Sequence, residues 1–131
     1  MQIVILGCGR VGARLAAMLD PEHKVSVIDQ SIEAFERLPA TFRGRVVLGQ
    51  GIDFDILKQA RIETADVFCA LTNQDNVNIM AAQVAKEVFH IGRAITRIYD
   101  PARQDTYVAL GLEAYCPTRL GVDGIEDLLD L

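Results

Sequence analysis

The chain has 131 residues, 50% of them apolar and 24% charged, with 18 Asp and Glu against 13 Lys and Arg for a net charge of −5. That length and apolar content suit a single domain with a real core and exclude a globally disordered chain. No apolar run approaches the roughly 18 residues of a membrane span, and the acidic balance excludes nucleic acid and direct membrane insertion as the main business of the chain.

Short β-type runs alternate with longer helical segments from end to end, without a linker, low-complexity stretch or internal repeat. The alternation predicts an α/β fold, a Rossmann-like doubly wound parallel sheet of six strands flanked by helices. Met1-Gln2-Ile3-Val4-Ile5-Leu6 has no basic residue ahead of its apolar run and no small-residue cleavage site. It therefore reads as the first strand, residues 3–6, of a cytoplasmic chain rather than as a secretory signal. Gly7-Cys8-Gly9-Arg10-Val11-Gly12 follows at once and opens a helix over 10–19, on which Leu15, Met18 and Leu19 share a face. In that strand-to-helix setting a GxGxxG pattern reads as a phosphate loop, although alone it could be only a tight strand-to-helix turn. Gly7 permits the tight turn, Gly9 lets backbone approach a pyrophosphate, and Gly12 lets helix pack on strand. The helix start offers unpaired N–H groups to the phosphates. Arg10, within the loop, could fold its guanidinium over them or stand in solvent.

The second strand, residues 25–29, ends on Asp29, 17 residues after Gly12. A strand-end carboxylate there is placed to accept from both hydroxyls of an adenosine ribose, although a lone acid could also be a turn residue. Its charge would repel a 2′-phosphate, and the next residues, Gln30-Ser31-Ile32, supply no arginine, so NADP is disfavoured. A helix over 31–37 leads to a third strand at 46–48 and a turn, Gly49-Gln50-Gly51-Ile52. A helix over 53–60 and a strand over 67–71 follow, the strand ending on Leu71 with Thr72 and Asn73 next. The helix over 75–89 carries Ile79, Val84 and Val88 on its apolar side, and the fifth strand, 94–98, holds Arg97. That arginine could pair with Asp75 or Asp100. After a helix over 102–110 and a short strand at 114–116, the last helix, 121–130, repeats Val122, Ile125, Leu128 and Leu129 as a stripe. The stripe either packs back on its own domain or forms a subunit interface.

Cys8, Cys69 and Cys116 are widely spaced and odd in number, unlike a disulfide framework or a metal site, and read as reduced core residues. Cys8 carries a minor redox hypothesis, because a helix start could lower its thiol pKa. Machinery for hydride transfer is missing. His23 and His90 fall in helix-to-strand connections, away from the carboxyl ends of strands, and Tyr107 has Gly111 rather than lysine four residues on. No GxxxxGK element occurs, which excludes a P-loop ATPase.

The assembled residues resemble the N-terminal nucleotide-binding domain of RCK proteins, also called KTN or TrkA-N domains. The resemblance runs from the glycine loop with its internal Arg10 through Val27-Ile28-Asp29, Gly49 leading to Asp53, and Ala65-Asp66-Val67. It continues through Ala70-Leu71-Thr72 with Asp75 and Asn78, Arg97-Ile98-Tyr99-Asp100-Pro101, Leu110-Gly111 and Cys116-Pro117-Thr118. It implies a phosphate cradle of Gly7, Gly9, Arg10, Val11 and Gly12, with Asp29 at the ribose, Thr72 lining the cleft and Arg97 facing the phosphate side. Cys8, Gln30, Gln50, Gly51, Ile52, Leu71 and Asn73 are the further residues expected at the cofactor. Where the family often has Gly-Asp-Ala-Thr or Gly-Asp-Gly-Thr after the third strand, this chain has Gly49-Gln50-Gly51-Ile52, without an acid and a hydroxyl beside the expected adenine pocket, where the Gln50 amide could still read an adenine edge.

The resemblance further implies a cytoplasmic regulatory domain, peripheral to the inner membrane, that binds NAD/NADH or ATP/ADP. Its partners would be a second copy in a dimer or larger ring, and a membrane potassium transporter or channel subunit. Residues 1–118 would form the nucleotide domain and 119–131 a helix contacting the neighbouring subunit. Family members usually continue into a smaller ligand domain that is not part of this sequence. The expected role is regulatory rather than enzymatic. The alternatives are an NAD-dependent oxidoreductase fragment lacking its substrate domain and a fold kept for assembly alone.

Overall fold

The computed structural model describes residues 1–130; Leu131, the last residue of the 119–131 segment, lies outside the described residues. Its strands are β1 (Gln2–Leu6), β2 (Lys24–Asp29), β3 (Arg45–Leu48), β4 (Val67–Ala70), β5 (Arg93–Arg97) and β6 (Glu113–Tyr115). They pair in parallel in the order β3-β2-β1-β4-β5-β6, with Leu6 beside both Ile28 and Ala70. The expected six-stranded Rossmann-like sheet is present, with strand ends displaced by a residue from the sequence reading.

Alternation along β1 explains the two-sided core. Val4 and Leu6 join Ile28, Val47, Phe68 and Ala70 on one face, while Ile3 and Ile5 join Val25, Val27, Val67 and Cys69 on the other. Both faces are apolar because helices cover both. α1 (Arg10–Leu19) lies on the second face, and α2 (Phe54–Gln59) and α3 (Asp75–Glu87) on the first. α4 (Pro101–Ala109) sets Tyr107 against Ala82, Ala94 and Leu112. Asp53 caps α2 by accepting from the Asp55 and Ile56 amides, and Asp100 caps α4 ahead of Pro101.

Four details correct the sequence reading. Met18 is 71% exposed: the packed face of α1 is Gly12, Ala13 and Ala16, small residues that bring the helix close to the sheet, with Leu15 and Leu19 at its margins. Val88 lies past the end of α3 and is exposed, and the buried face of that helix is Asn78, Ile79, Ala81, Ala82 and Ala85. The helix expected over 31–37 is a 3₁₀ segment, Ile32–Arg37, because Pro39 holds Leu38 extended (φ −77°, ψ 142°) and stops the segment after six residues. The last helix, α5 (Pro117–Leu129), starts earlier than expected, since Pro117 occupies the first helical turn without needing an N–H acceptor.

The stripe on α5 does not pack back on its own domain. No residue of the helix is buried, and Val122, Ile125, Leu128 and Leu129 are all more than half exposed, Leu128 at 88%. Only the root of the helix is tied down. Thr118 Oγ1 donates to the Tyr99 carbonyl at 2.9 Å, and Arg119 forms a paired bridge to Asp105 at 2.9 and 3.0 Å. No helix among the described residues is long and apolar enough to cross a membrane.

Chain direction places the site. From β1 the chain leaves to α1 on one face, and from the neighbouring β4 to α3 on the other, so a crevice opens between the two connections at the carboxyl ends of the strands.

Candidate functional site

At the end of β1 the chain turns sharply through Gly7, whose φ of +105° lies in the region that favours glycine. Its N–H donates to the Ile28 carbonyl at 2.7 Å, pinning the loop to β2. α1 then settles on the loop so closely that a Cβ at Gly12 would stand 1.9 Å from the Gly7 carbonyl oxygen. The first helical bond runs from Ala13 N–H to the Gly9 carbonyl at 2.9 Å. The amides of Arg10, Val11 and Gly12 therefore sit in the first turn, where N–H groups have no intrahelical acceptor. Asp29 reaches across from β2. Its Oδ2 accepts from Cys8 N–H at 2.8 Å and its Oδ1 from Ser31 N–H at 2.9 Å. Each carboxylate oxygen keeps a lone pair, enough for two further hydroxyl donors.

Around these groups lies a cleft of about 620 Å³. Of the expected residues, Gly7, Cys8, Gly9, Asp29, Gln30, Gln50, Gly51, Ile52, Leu71, Thr72, Asn73 and Arg97 line it. Arg10, Val11 and Gly12 do not. The Arg10 and Val11 side chains are exposed and do not line the cleft, and Gly12 is buried beneath the loop; what the three present to the site here is their amides. The sequence reading missed Leu6, Ser31, Ala34, Arg37, Gly49, Gln74 and Val77. Arg37 matters most among them, because an arginine does enter from the β2 side, eight residues beyond Asp29 and outside the Gln30-Ser31-Ile32 window. Two open hollows of about 490 and 590 Å³ lie at the amino ends of the strands, around Met1, His23 and Lys24 and around Ser26, Gly44 and Arg61. Volume does not separate the three; position at the carboxyl ends does.

The far wall is held by a buried asparagine. Asn78, fully enclosed, accepts through Oδ1 from Thr72 N–H (2.9 Å) and Thr72 Oγ1 (2.7 Å), and donates through Nδ2 to the carbonyls of Thr72 and Arg97, both at 3.0 Å. Every hydrogen-bonding position of the amide is used, which staples the end of β4 to the end of β5. The Thr72 hydroxyl is thereby spent on the wall. Arg97, 8% exposed, pairs with neither Asp75 nor Asp100. Its Nη2 donates to the Leu71 and Thr72 carbonyls at 2.6 and 2.8 Å, and its guanidinium stands 5.2 Å from the centre of the Tyr99 ring. Asp75 instead accepts from the Tyr99 amide and approaches Arg103, while Asp100 caps α4. A buried guanidinium facing a cleft with no carboxylate bound to it leaves net positive potential for an anion.

The cysteines are shielded. Burial, reinforced by Asp29, raises the Cys8 thiol above its ordinary value against a lowering pull from Arg37, the reverse of the helix-start activation considered from the sequence. Cys69 is pushed up to about 11, chiefly by burial. A group whose folded pKa is raised is stabilising below its unfolded value and loses that contribution as pH climbs through the folded one. The urea midpoint should accordingly fall between the ordinary 9.0 and about 11 as Cys69 ionises. In the same protein, an aromatic disulfide reagent should find no rapidly reacting thiol below that range. A thiol that reacts quickly in the native state would contradict the assignment. No group of His, Cys, Asp and Glu suited to a metal occurs among the described residues.

The profile of the TrkA-N domain matches residues 3–116, nearly the whole chain. The chain belongs to the TrkA-N family. Among relatives of this TrkA-N domain, the Trk system potassium uptake protein TrkA of Streptomyces coelicolor is 46% identical over 124 residues, covering 94% of this chain and 56% of that protein. The domain thus spans about half the length of the curated relative it matches. Among solved structures, the TrkA-N domain of the inner membrane protein ybaL from Escherichia coli superposes with a TM-score of 0.86 at 20% identity, covering 98% of this chain and 96% of that one. The GsuK channel bound to NAD matches with a TM-score of 0.82 at 26% identity over 98% of this chain and 23% of that one, and GsuK has also been solved bound to ADP.

Proposed function

We propose that this TrkA-N domain is a non-catalytic module that binds an adenine nucleotide, NAD(H) or ATP/ADP, and passes the identity of the ligand to a potassium transporter or channel. The observation that carries the reading is Asp29, tied to the glycine loop by Cys8 N–H and to its own turn by Ser31 N–H, with free lone pairs directed at the cleft. NAD and ADP in GsuK, and the potassium uptake role of the TrkA relative, support it. The cleft lining has no histidine, lysine or tyrosine to move a proton, which favours binding over turnover. Calorimetric titration with NAD, NADH, ADP and ATP tests the reading: saturable binding of at least one is expected, and no heat or thermal shift with any of them overturns it.

To signal, two ligands must favour two arrangements of the assembly unequally. A second copy of this chain is the proposed occupant of the α5 stripe. A helix of 13 residues carrying Gly121 and Gly124, at about 1 kcal/mol each, is marginal in water without a covering surface. Sedimentation at micromolar concentration should show a dimer or larger species. An Ile125→Asp, Leu128→Asp double variant should run as a monomer that still binds nucleotide; a monomeric wild type would remove the interface.

A further inference from the structure

The cleft holds two arginines that differ in how far their charge is used. Arg97 is locked by short bonds to Leu71 and Thr72. Arg37, at the end of the 3₁₀ segment, is exposed, lines the cleft, and makes one long contact, Nη1 to the Cys8 carbonyl at 3.4 Å. Among the described residues it forms no ion pair, with Asp29 or any other acid. A guanidinium has five donors, so nearly all of its bonding capacity is available.

We infer that Arg37 is the phosphate-sensing residue of this cleft, closing over the 5′-phosphate chain of a nucleotide whose ribose is held by Asp29. This rests on the nucleotide reading above and adds to it the group that measures phosphate charge. Two observations converge. The Arg37 guanidinium rests on Cys8, between the two glycines of the loop, and not on the carboxylate. Gly9, next to Cys8, has open space where a Cβ would be, so a phosphate entering there meets loop amides on one side and Arg37 on the other. An arginine exchanging one long carbonyl contact for paired bonds to a phosphate gains charge-assisted interactions that adenosine cannot offer. Affinity should therefore depend on Arg37 more strongly as phosphate charge increases.

The test is calorimetry on wild type, Arg37→Gln and Arg37→Lys with adenosine, AMP, ADP, ATP, NAD and NADP, each variant first checked for an unchanged melting temperature. Arg37→Gln should weaken ADP and ATP roughly ten- to a hundredfold, AMP less, and adenosine not at all. Arg37→Lys should recover part of the loss. Equal loss for adenosine and ADP would make Arg37 structural, no loss for ADP or ATP would remove it from the phosphates, and loss confined to NADP would move it to the ribose 2′ position; each overturns the inference. If wild type binds adenosine and ADP, the nucleotide reading survives any of these results. If it binds none of the panel, that reading fails and takes Arg37 with it.

Discussion

Gly12→Ala is expected to cost at least about 3 kcal/mol of stability and to abolish nucleotide binding, an effect large for one methyl group. The added carbon has no rotamer by which to escape. It would stand 1.9 Å from the Gly7 carbonyl oxygen, and that oxygen belongs to a turn already held at φ +105° and bonded through its own amide to Ile28. Relief requires α1 to lift off β1, which uncovers Ile3, Ile5 and Ala16 on the second face of the sheet. Gly9→Ala is the matched control: nothing lies within 4 Å of its would-be Cβ, and its φ of −83° suits any residue. Gly9→Ala should melt like wild type while losing affinity, because the methyl group intrudes where phosphate approaches. Urea unfolding of both variants decides the matter. A Gly12→Ala protein as stable as wild type would show that the loop and helix are not packed as described.

Asp29→Asn should be the most damaging near-isosteric change in the cleft, lowering affinity for adenosine, ADP and NAD alike by roughly ten- to a hundredfold. Two backbone amides point at the two carboxylate oxygens. An asparagine supplies one acceptor and one NH₂, so either Cys8 N–H or Ser31 N–H must face another donor. The loop would shift to avoid that clash, and the ribose would lose its matched pair of acceptors. Equal loss on adenosine and on phosphorylated ligands is the mark of a ribose contact. A variant that loses ADP but keeps adenosine would place Asp29 at the phosphates instead. Stability should fall less, by about 1–2 kcal/mol, because the amides can turn to water.

The fold was largely legible because its determinants are local and periodic. Apolar runs such as Ile3-Val4-Ile5-Leu6 and Val67-Phe68-Cys69-Ala70 can be buried on both sides only in a covered parallel sheet. The glycine loop and Asp29 were legible because their spacing is set by one βα unit and a strand. What escaped depends on direction and reach. Arg10 and Arg37 are equally basic in sequence, yet only the second, carried by the 3₁₀ segment, lines the cleft. Arg97 had visible carboxylates to choose from and took backbone carbonyls, which no side-chain pattern advertises. Met18 followed the helical repeat but lay beyond a buried face narrowed to glycine and alanine.

The attachment of α5 has a mechanical consequence. Its first turn is bonded to the Tyr99 carbonyl, and Tyr99 lies two residues from Arg97 and beneath its guanidinium. A rod of 13 residues is about 20 Å long, so a tilt of about 5° at that root sweeps its free end through about 2 Å. The helix is thus a lever whose short arm ends at the wall of the cleft.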